Sequence, residues 1–441
     1  MSVHNALDVA LHAAVADYVA HNPRSQTLCE VAAHVLPGGN TRSVLYHPPF
    51  PLTMVRGEGC WLWDADGHVY IDTLGEFTAG LFGHSDKTVR AALQEALVGG
   101  LNLSSHTARE ARLGQEIQRR FPSMALMRFT NSGTEANLMA VAAATVHTGR
   151  RKVMVFDGAY HGGVLSFAGG GSPVNVPHDW LVAPYNDLEY AAALVRRHGA
   201  DLAAILVEPM LGSGGCIPGT PAFLRGLRDL ASDCNALLIL DEVMTSRLSF
   251  GGRQALLDIT PDLTTAGKYL GGGLSFGVFG GRADVMDRFD PRRSDALAHA
   301  GTFNNNVLSM AAGHAALSRV LTAEALDALN ARGDHLRERL NALFAYEGVA
   351  LQATGLGSLL TLHATDRPIR NAGDLAGSDL RVKDLLFFDL MARGIFLARR
   401  GMMALSLPLG EAECDCVLGA MLEIVELRQA LLPQRHAVQL M

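Results

Sequence analysis

Short, unbroken apolar runs alternate with helix-like patterns along the middle of this chain. One run, Ala236 to Leu240, ends abruptly at Asp241 and Glu242. Runs without polar alternation are typical of strands that are buried on both faces of a parallel sheet. Their alternation with helical periodicity from about Gly75 to Val320 predicts repeated βα units. We therefore expect an α/β fold in which helices flank a mainly parallel sheet.

The two ends of the chain carry other patterns. Helical periodicity predicts a helix from Ala6 to Val19, and residues 54–72 indicate two strands around a turn at Asp64 to Gly67. A long helix from Glu324 to Tyr346 is expected to lead to shorter strands and a closing helix from Glu411 to Leu431. The predicted units are an N-terminal segment (1–74) that packs with the small domain, a large domain (75–322) and a C-terminal small α+β domain (323–441).

Composition limits the possible partners and the compartment. The chain has 441 residues, a formal net charge of −7 and no strongly basic run, so we expect neither nucleic acid nor a membrane as a partner. The six cysteines lack the spacing of a disulfide framework or a metal site. The N-terminus also lacks a basic segment leading into an apolar run. A cytoplasmic protein without a metal is the expectation.

Asp241 and Lys268 are the residues with the clearest chemical potential. Asp241 ends a buried strand, where open α/β sheets bind their ligands, and a buried carboxylate needs a compensating partner. Lys268 is bracketed by Gly267 and by the glycines at 271–273, which permit close approach of another group. A sheltered lysine can lose its proton near neutral pH and form a Schiff base with an aldehyde. Pyridoxal 5'-phosphate would satisfy both residues.

Around these two residues the chain resembles the fold-type I, pyridoxal-phosphate-dependent class III aminotransferases, which include glutamate-1-semialdehyde aminomutase and the ω-transaminases. The resemblance covers nearly the whole length. It implies that Asp241 keeps the pyridine nitrogen of the cofactor protonated. It also implies that Lys268 forms the Schiff base with the cofactor.

A cofactor phosphate site is expected in RFTNSGTEANLMAVAAAT, where a strand turns into an alanine-rich helix. The start of a helix offers unpaired N–H groups and the positive end of a dipole. Ser132 and Glu135 also fit a Ser-x-x-Glu capping box, which alone would explain the pattern. The stretch matches the family's phosphate loop, and the resemblance therefore assigns Ser132, Gly133 and Thr134 to the phosphate.

The resemblance also implies further cofactor contacts. Tyr160 is expected on one face of the ring with Val243 on the other, and Glu208 near the ring oxygen. Thr302, in HAGTFNNNV, matches a threonine that reaches the phosphate of the neighbouring subunit in the family. A homodimer with shared active sites is therefore expected.

Substrate residues are expected in two places. The irregular segment PGGNTRSVLYHPPFP carries Arg42, Tyr46 and Phe50, and FLARRGMMALSLP carries Arg400 with Arg399 as its rival. Arg42 would bind the carboxylate of a β-amino acid and Arg400 that of the keto-acid acceptor, because a guanidinium can hold a carboxylate by two parallel bonds.

The motifs GGNTRSVLYHPPFPL, DEVMTSRL and GTFNNNV look most like those of the aromatic β-amino-acid transaminases. The implied reaction moves the amino group of a donor such as 3-amino-3-phenylpropanoate to 2-oxoglutarate or pyruvate in a ping-pong sequence. The alternatives are an aminomutase of the glutamate-1-semialdehyde type, another ω-amine transaminase, and a non-catalytic cofactor-binding module. The intact pair of Asp241 and Lys268 argues against the last of these.

Overall fold

The structure, a computed structural model, describes residues 3–435. Its N-terminal segment contains helices α1 (Val3–His21) and α2 (Pro23–Ala33) and strands β1 (Met54–Glu58), β2 (Trp61–Asp64) and β3 (Val69–Asp72). The predicted turn at Asp64 to Gly67 joins β2 to β3. The prediction of two strands was wrong, because Gly59 reverses the chain at a φ of 58°. Three antiparallel strands therefore form.

The middle of the chain alternates strands and helices, as its pattern predicts. Its helices are α3 (Lys87–Val98), α4 (Ala108–Arg120), α5 (Gly133–Thr148), α6 (Leu188–His198), α7 (Pro221–Asp233), α8 (Gly252–Leu257), α9 (Ala283–Met286) and α10 (Val307–Ala315). Its strands are β4 (Leu126–Thr130), β5 (Lys152–Phe156), β6 (Trp180–Ala183), β7 (Leu202–Val207), β8 (Met210–Leu211), β9 (Ile217–Pro218), β10 (Leu237–Asp241), β11 (Leu263–Gly267) and β12 (Gly277–Gly281).

Seven of these strands form one sheet in the order β4-β12-β11-β10-β7-β5-β6. Strands β6, β5, β7, β10 and β11 are parallel, whereas β12 runs antiparallel to both β11 and β4. Six strands therefore share one direction, and the expected mainly parallel sheet is confirmed. Their carboxyl ends lie along a single edge, which is where such sheets bind ligands.

Helices cover both faces of this sheet. On one face, α5 packs against β7, β11 and β12, and its Ala136, Ala140 and Ala144 belong to the buried cluster there. These alanines have small side chains, which let the helix lie close to the sheet. On the other face, α7 packs Phe223, Leu224 and Leu227 in a second buried cluster. The apolar strands are thus buried on both faces, as their composition requires.

The C-terminal part contains helices α11 (Ala323–Tyr346), α12 (Leu380–Met391) and α13 (Glu411–Arg428) with strands β13 (Gln352–Leu356), β14 (Leu359–His363), β15 (Ile395–Phe396) and β16 (Met402–Ala404). Strand β15 pairs with β3 and adds a fourth strand to the N-terminal sheet, whereas β13, β14 and β16 form a separate sheet. The exact division of the chain after residues 74 and 322 stays a prediction. Among residues 3–435, no helix is both long and apolar enough to cross a membrane.

Candidate active site

Five chain segments meet at the carboxyl edge of the large sheet, each directly after a strand. The residues that follow or end these strands are Ser132 after β4, Tyr160 and His161 after β5, Glu208 after β7, Asp241 at the end of β10, and Lys268 after β11. Apart from His161, these are residues that the sequence singled out in distant parts of the chain, and the fold brings them together.

Asp241 is the most completely held side chain at this edge. It is 3% exposed. Its Oδ2 accepts hydrogen bonds from Asn137 Nδ2 at 2.8 Å and His161 Nδ1 at 2.7 Å, and its Oδ1 accepts one from the Val243 N–H at 3.0 Å. Three donors therefore stabilise the carboxylate away from water.

Asn137 and His161 were missed as site residues by the sequence analysis. Asn137 lies on the buried side of α5, where Thr265 Oγ1 donates to its Oδ1 at 2.6 Å. A lone amide among the alanines of that helix was the available signal. His161 was visible in Tyr-His-Gly, but only Tyr160 was given a role. Within the described part of the chain, the buried Nε2 of His161 has no hydrogen-bond partner.

Lys268 follows β11 with a left-handed backbone at a φ of 56°. Its Nζ donates a hydrogen bond to the Phe77 carbonyl at 2.8 Å. Burial lowers the pKa of this amine to about 8, although the negative charges of Asp241 and Glu208 oppose the shift. A larger fraction of the amine is therefore unprotonated at neutral pH than in an ordinary lysine, as a nucleophile requires.

The Phe77 carbonyl is presented by a segment with unusual backbone geometry. Glu76, Phe77 and Thr78 have φ values of 48°, 52° and 82°. Each such residue costs on the order of 1–3 kcal/mol, and strain of this kind is concentrated at functional sites. Nothing in the composition of this segment predicts the conformation.

The start of α5 lies beside Asp241 and packs closely. A Cβ on Gly133 would come within 2.8 Å of a methyl group of Val243, so this position requires glycine. Ser132 Oγ accepts from the Glu135 N–H at 3.2 Å, which is one half of the predicted capping box. The other half was wrong: the Glu135 carboxylate accepts from the Asn131 N–H at 2.9 Å instead. Thr134 Oγ1 accepts from the Gly163 N–H at 3.3 Å.

Glu208 and Tyr160 are joined at the end of β7. The Glu208 carboxylate accepts from the Tyr160 N–H at 2.8 Å and from the Gly212 N–H at 3.1 Å. Burial raises the pKa of Glu208 to about 7, with a further contribution from the charge of Asp241. The side chain of Tyr160 is 46% exposed and is therefore accessible to a ligand.

Arg400 and Arg399 differ in their surroundings. Arg399, the rival of Arg400, donates two hydrogen bonds to the Asp384 carboxylate, at 2.6 and 2.7 Å, and its charge is therefore already paired. The Arg400 guanidinium lies 5.1 Å from the centre of the Phe77 ring, and burial lowers its pKa. Its buried Nε has no hydrogen-bond partner among residues 3–435. Arg400 is thus the member of the pair with capacity for a ligand.

Arg42 approaches the same phenylalanine from the N-terminal segment. Its guanidinium lies 5.5 Å from the centre of the Phe77 ring and forms an ion pair with Glu76. Two arginines from opposite ends of the chain therefore contact one aromatic ring, as cation–π geometry allows. Glu76 and Phe77 were not singled out in the sequence.

The remaining predicted residues occupy varied environments. Tyr46 is half-exposed. Phe50 is only 4% exposed and packs against the Tyr18 ring at 5.2 Å between centroids, so core packing accounts for it. Thr302 is exposed, and its neighbour Phe303 is 60% exposed.

Comparison with known proteins identifies the family. Residues 43–407 match the sequence profile of the class-III aminotransferases, and the chain therefore belongs to this family. It is 54% identical to a β-phenylalanine transaminase of Variovorax paradoxus, over 98% of this chain and all of that protein. The crystal structure of a β-phenylalanine aminotransferase from that organism superposes with a TM-score of 0.96 at 53% identity, covering 98% of this chain and 100% of the other.

Two further relatives are more distant. A glutamate-1-semialdehyde 2,1-aminomutase of Heliobacterium modesticaldum is 35% identical over 90% of this chain and 95% of its own length. A solved transaminase with PLP bound has a TM-score of 0.84 at 31% identity, over 93% of this chain and 98% of the other. These likenesses confirm the fold-type I architecture and the aminotransferase class.

The hydrogen bonds around Asp241 lead to a stability prediction. Asn137→Ala removes one of the two side-chain donors to a buried carboxylate and leaves Thr265 without its acceptor. We expect the free energy of unfolding to fall by about 1.5–3 kcal/mol. Urea denaturation followed by fluorescence measures the change. The control Asn131→Ala alters a less buried amide and should cost under about 1 kcal/mol; equal losses would contradict the role given to Asn137.

Proposed function

We propose that this protein is a pyridoxal-5'-phosphate-dependent transaminase that acts on an aromatic β-amino acid. The donor is exemplified by 3-amino-3-phenylpropanoate and the acceptor by a keto acid such as 2-oxoglutarate or pyruvate. The observation that carries the proposal is the 54% identity over nearly the whole chain to a β-phenylalanine transaminase. The two arginines beside Phe77 add physical support, since both reactants carry a carboxylate.

The residues at the sheet edge fit the cofactor. Lys268 supplies the amine for its aldehyde, and Asp241 supplies the negative charge for its ring nitrogen. The start of α5, with Ser132, Gly133 and Thr134, offers N–H groups to its phosphate. The faces of the ring would meet Tyr160 and Val243, with Glu208 near the ring oxygen. A Cβ at Gly133 would disturb this cradle, because it would collide with Val243.

When bound, the cofactor supplies a carbonyl that combines with amines and a ring that accepts electrons. The protein supplies the charge and the proton transfer. Asp241, fixed by Asn137 and His161, is an electrostatic element that needs no reorganisation during the reaction. Lys268 Nζ, whose pKa is about 8, takes the proton from the donor carbon that bears the amine and returns it to a neighbouring carbon. The Phe77 carbonyl accepts a hydrogen bond from this amine and lies within its reach.

Each of the two arginines is assigned to the carboxylate of a different reactant. We assign the β-amino acid carboxylate to Arg42 with Tyr46 nearby, and the acceptor carboxylate mainly to Arg400. The partner of Arg42 in the structure is the carboxylate of Glu76, which is chemically the same group as the substrate carboxylate. Arg400 has an unpaired buried Nε instead, and a bound carboxylate would satisfy it.

An aminomutase of the glutamate-1-semialdehyde type is the second candidate, followed by another ω-amine transaminase. The 35% identity to a glutamate-1-semialdehyde 2,1-aminomutase favours the aminomutase to a lesser degree. The two reactions differ in stoichiometry, since an aminomutase needs no separate acceptor. A non-catalytic module is disfavoured by the intact pair of Asp241 and Lys268, which a protein that only bound the cofactor would not need.

We also propose that the protein is a cytoplasmic homodimer. Its six cysteines are free thiols, as a reducing compartment permits. Thr302 and Phe303 are exposed beside a groove of about 780 Å³ lined by residues of α4 and β4 and by His299, Gly301, Asn304 and Asn305. A second copy covering this groove would bury Phe303 and bring Thr302 to the phosphate site of its partner.

An absorbance experiment tests the reaction. The visible absorbance of the cofactor-loaded protein should be lost on addition of 3-amino-3-phenylpropanoate and restored by 2-oxoglutarate.

In Lys268→Ala, turnover should fall by several orders of magnitude, because the proton-transferring amine is absent. The control Lys152→Ala removes a lysine paired with Asp201 and should behave as wild type. Conversion of glutamate-1-semialdehyde without an acceptor would instead support the aminomutase.

Arg42→Ala tests the donor carboxylate site. Loss of a charged hydrogen-bonding partner costs roughly 1.5–3 kcal/mol, so kcat/KM for 3-amino-3-phenylpropanoate should fall about ten- to a hundredfold. A carboxylate-free donor, 1-phenylethylamine, should lose little where it is accepted. Arg56→Ala is the matched control, because Arg56 is also exposed and paired with a glutamate, Glu58. Equal losses for both donors would make Arg42 a structural residue.

Subunit mixing tests the shared site. Lys268→Ala and Thr302→Lys should each have little activity alone. Mixed under conditions that exchange subunits, they should regain about a quarter of wild-type activity, because half of the dimers would then carry one intact site. No recovery, despite proven exchange, would place Thr302 and Lys268 in the same subunit's site.

A further inference from the structure

A second lysine lies directly behind Arg400. Lys383, on α12, is partly buried, and its Nζ donates a hydrogen bond to the Arg400 carbonyl at 3.1 Å. The same Nζ lies 3.3 Å from Nδ1 of His363, on β14. Lys383 therefore contacts both the backbone of the arginine assigned to the acceptor and a buried histidine.

The hydrogen bonds of His363 fix which of its nitrogens carries the proton. Its Nε2 lies 3.0 Å from the Gly215 carbonyl and 2.9 Å from Thr354 Oγ1, whose hydroxyl donates to the same carbonyl at 2.7 Å. A carbonyl only accepts, so the proton is on Nε2. Burial and the nearby Lys383 lower the pKa of His363 to about 3, so the ring is neutral. Nδ1 is therefore an acceptor for Lys383.

Two acceptors thus face Lys383 Nζ, and two N–H bonds satisfy them. A neutral amine has two N–H groups and an ammonium has three, so both hydrogen bonds persist in either charge state. Burial, and then the charge of Arg400, lower the pKa of Lys383 to about 8. The amine can therefore change charge near neutral pH without losing its position.

The groups around Lys383 leave positive charge uncompensated. Cys216 is a thiol, because burial raises its pKa to about 11, and Asp384 is engaged by Arg399. In the described residues, neither Lys383 nor Arg400 has a carboxylate within ion-pair distance. An anion that binds Arg400 would supply the missing negative charge to both cations.

We propose that Lys383 is a positioning residue of the acceptor site: it holds the Arg400 backbone and takes up a proton when a carboxylate binds to Arg400. This inference rests on the proposed role of Arg400. It adds that acceptor binding is coupled to protonation at a residue that does not touch the acceptor.

The sign of the coupling follows from the charges. A bound carboxylate raises the pKa of Lys383 above its value of about 8 in the free site. Carboxylate affinity is then highest below pH 8 and declines as the pH rises through the raised pKa. A rise of one pKa unit corresponds to an about tenfold weaker affinity at high pH.

Calorimetry with glutarate, a dicarboxylate without a reactive ketone, tests the proposal on the cofactor-loaded protein. Titrations at pH 8 in two buffers of different ionisation enthalpy count the protons exchanged. When glutarate binds, wild type should take up as much as about half a proton more per site than Lys383→Met does, because a group at its pKa is half-protonated before binding. Between pH 7.5 and 9.5 the Kd should rise about sixfold in wild type for a pKa rise of one unit, and less in the variant. Lys383→Arg, which stays charged, should bind glutarate with the weaker pH dependence of the methionine variant.

The possible failures are distinguishable. Equal glutarate binding by wild type and Arg400→Gln would overturn the assignment of Arg400 itself. Binding that requires Arg400, but with unchanged proton uptake in Lys383→Met, would overturn the role of Lys383 alone. A uniform loss of affinity at every pH would also overturn it, because that is the result of a merely structural lysine. Any titration of Lys268 is common to wild type and the Lys383 variants and cancels in their difference.

Discussion

A buried negative charge is the constraint on which this site depends. A carboxylate in the interior is costly unless donors surround it, and Asp241 receives hydrogen bonds from Asn137, His161 and the Val243 backbone. Those donors come from α5, from the segment after β5 and from the turn after β10. Holding one charge therefore fixes the relative positions of three segments, and these segments border the site proposed for the cofactor.

The reactive amine is controlled by a different balance. Burial favours the neutral form of Lys268, while Asp241 and Glu208 favour its charged form, and the result is a pKa of about 8. The strained segment at Glu76 to Thr78 supplies the carbonyl that orients the amine. The backbone strain of this short segment lowers the stability of the fold, and the same segment supplies the hydrogen bond that orients the Lys268 amine.

The sequence predicted the parts of this arrangement that leave a periodic or motif signal. The buried strands, the edge at which they end, and Asp241 and Lys268 as the residues there all follow from apolar runs and the residues that interrupt them. The network around Asp241 did not follow, because Asn137 and His161 become partners only through tertiary packing. The same holds for Phe77: its carbonyl contact depends on positive φ angles at Glu76 to Thr78, and none of these three residues is a glycine that would have indicated them.

The ring of Phe77 has one more consequence, which concerns the independence of the two half-reactions. It lies 5.5 Å from the Arg42 guanidinium and 5.1 Å from that of Arg400, so a single side chain is the spacer between two guanidinium groups. A change in the size or tilt of this spacer would move both arginines at once. With the roles proposed for the two arginines, donor length and acceptor choice are not separately adjustable at this position, and selection for a new amine would also change the keto acid preference.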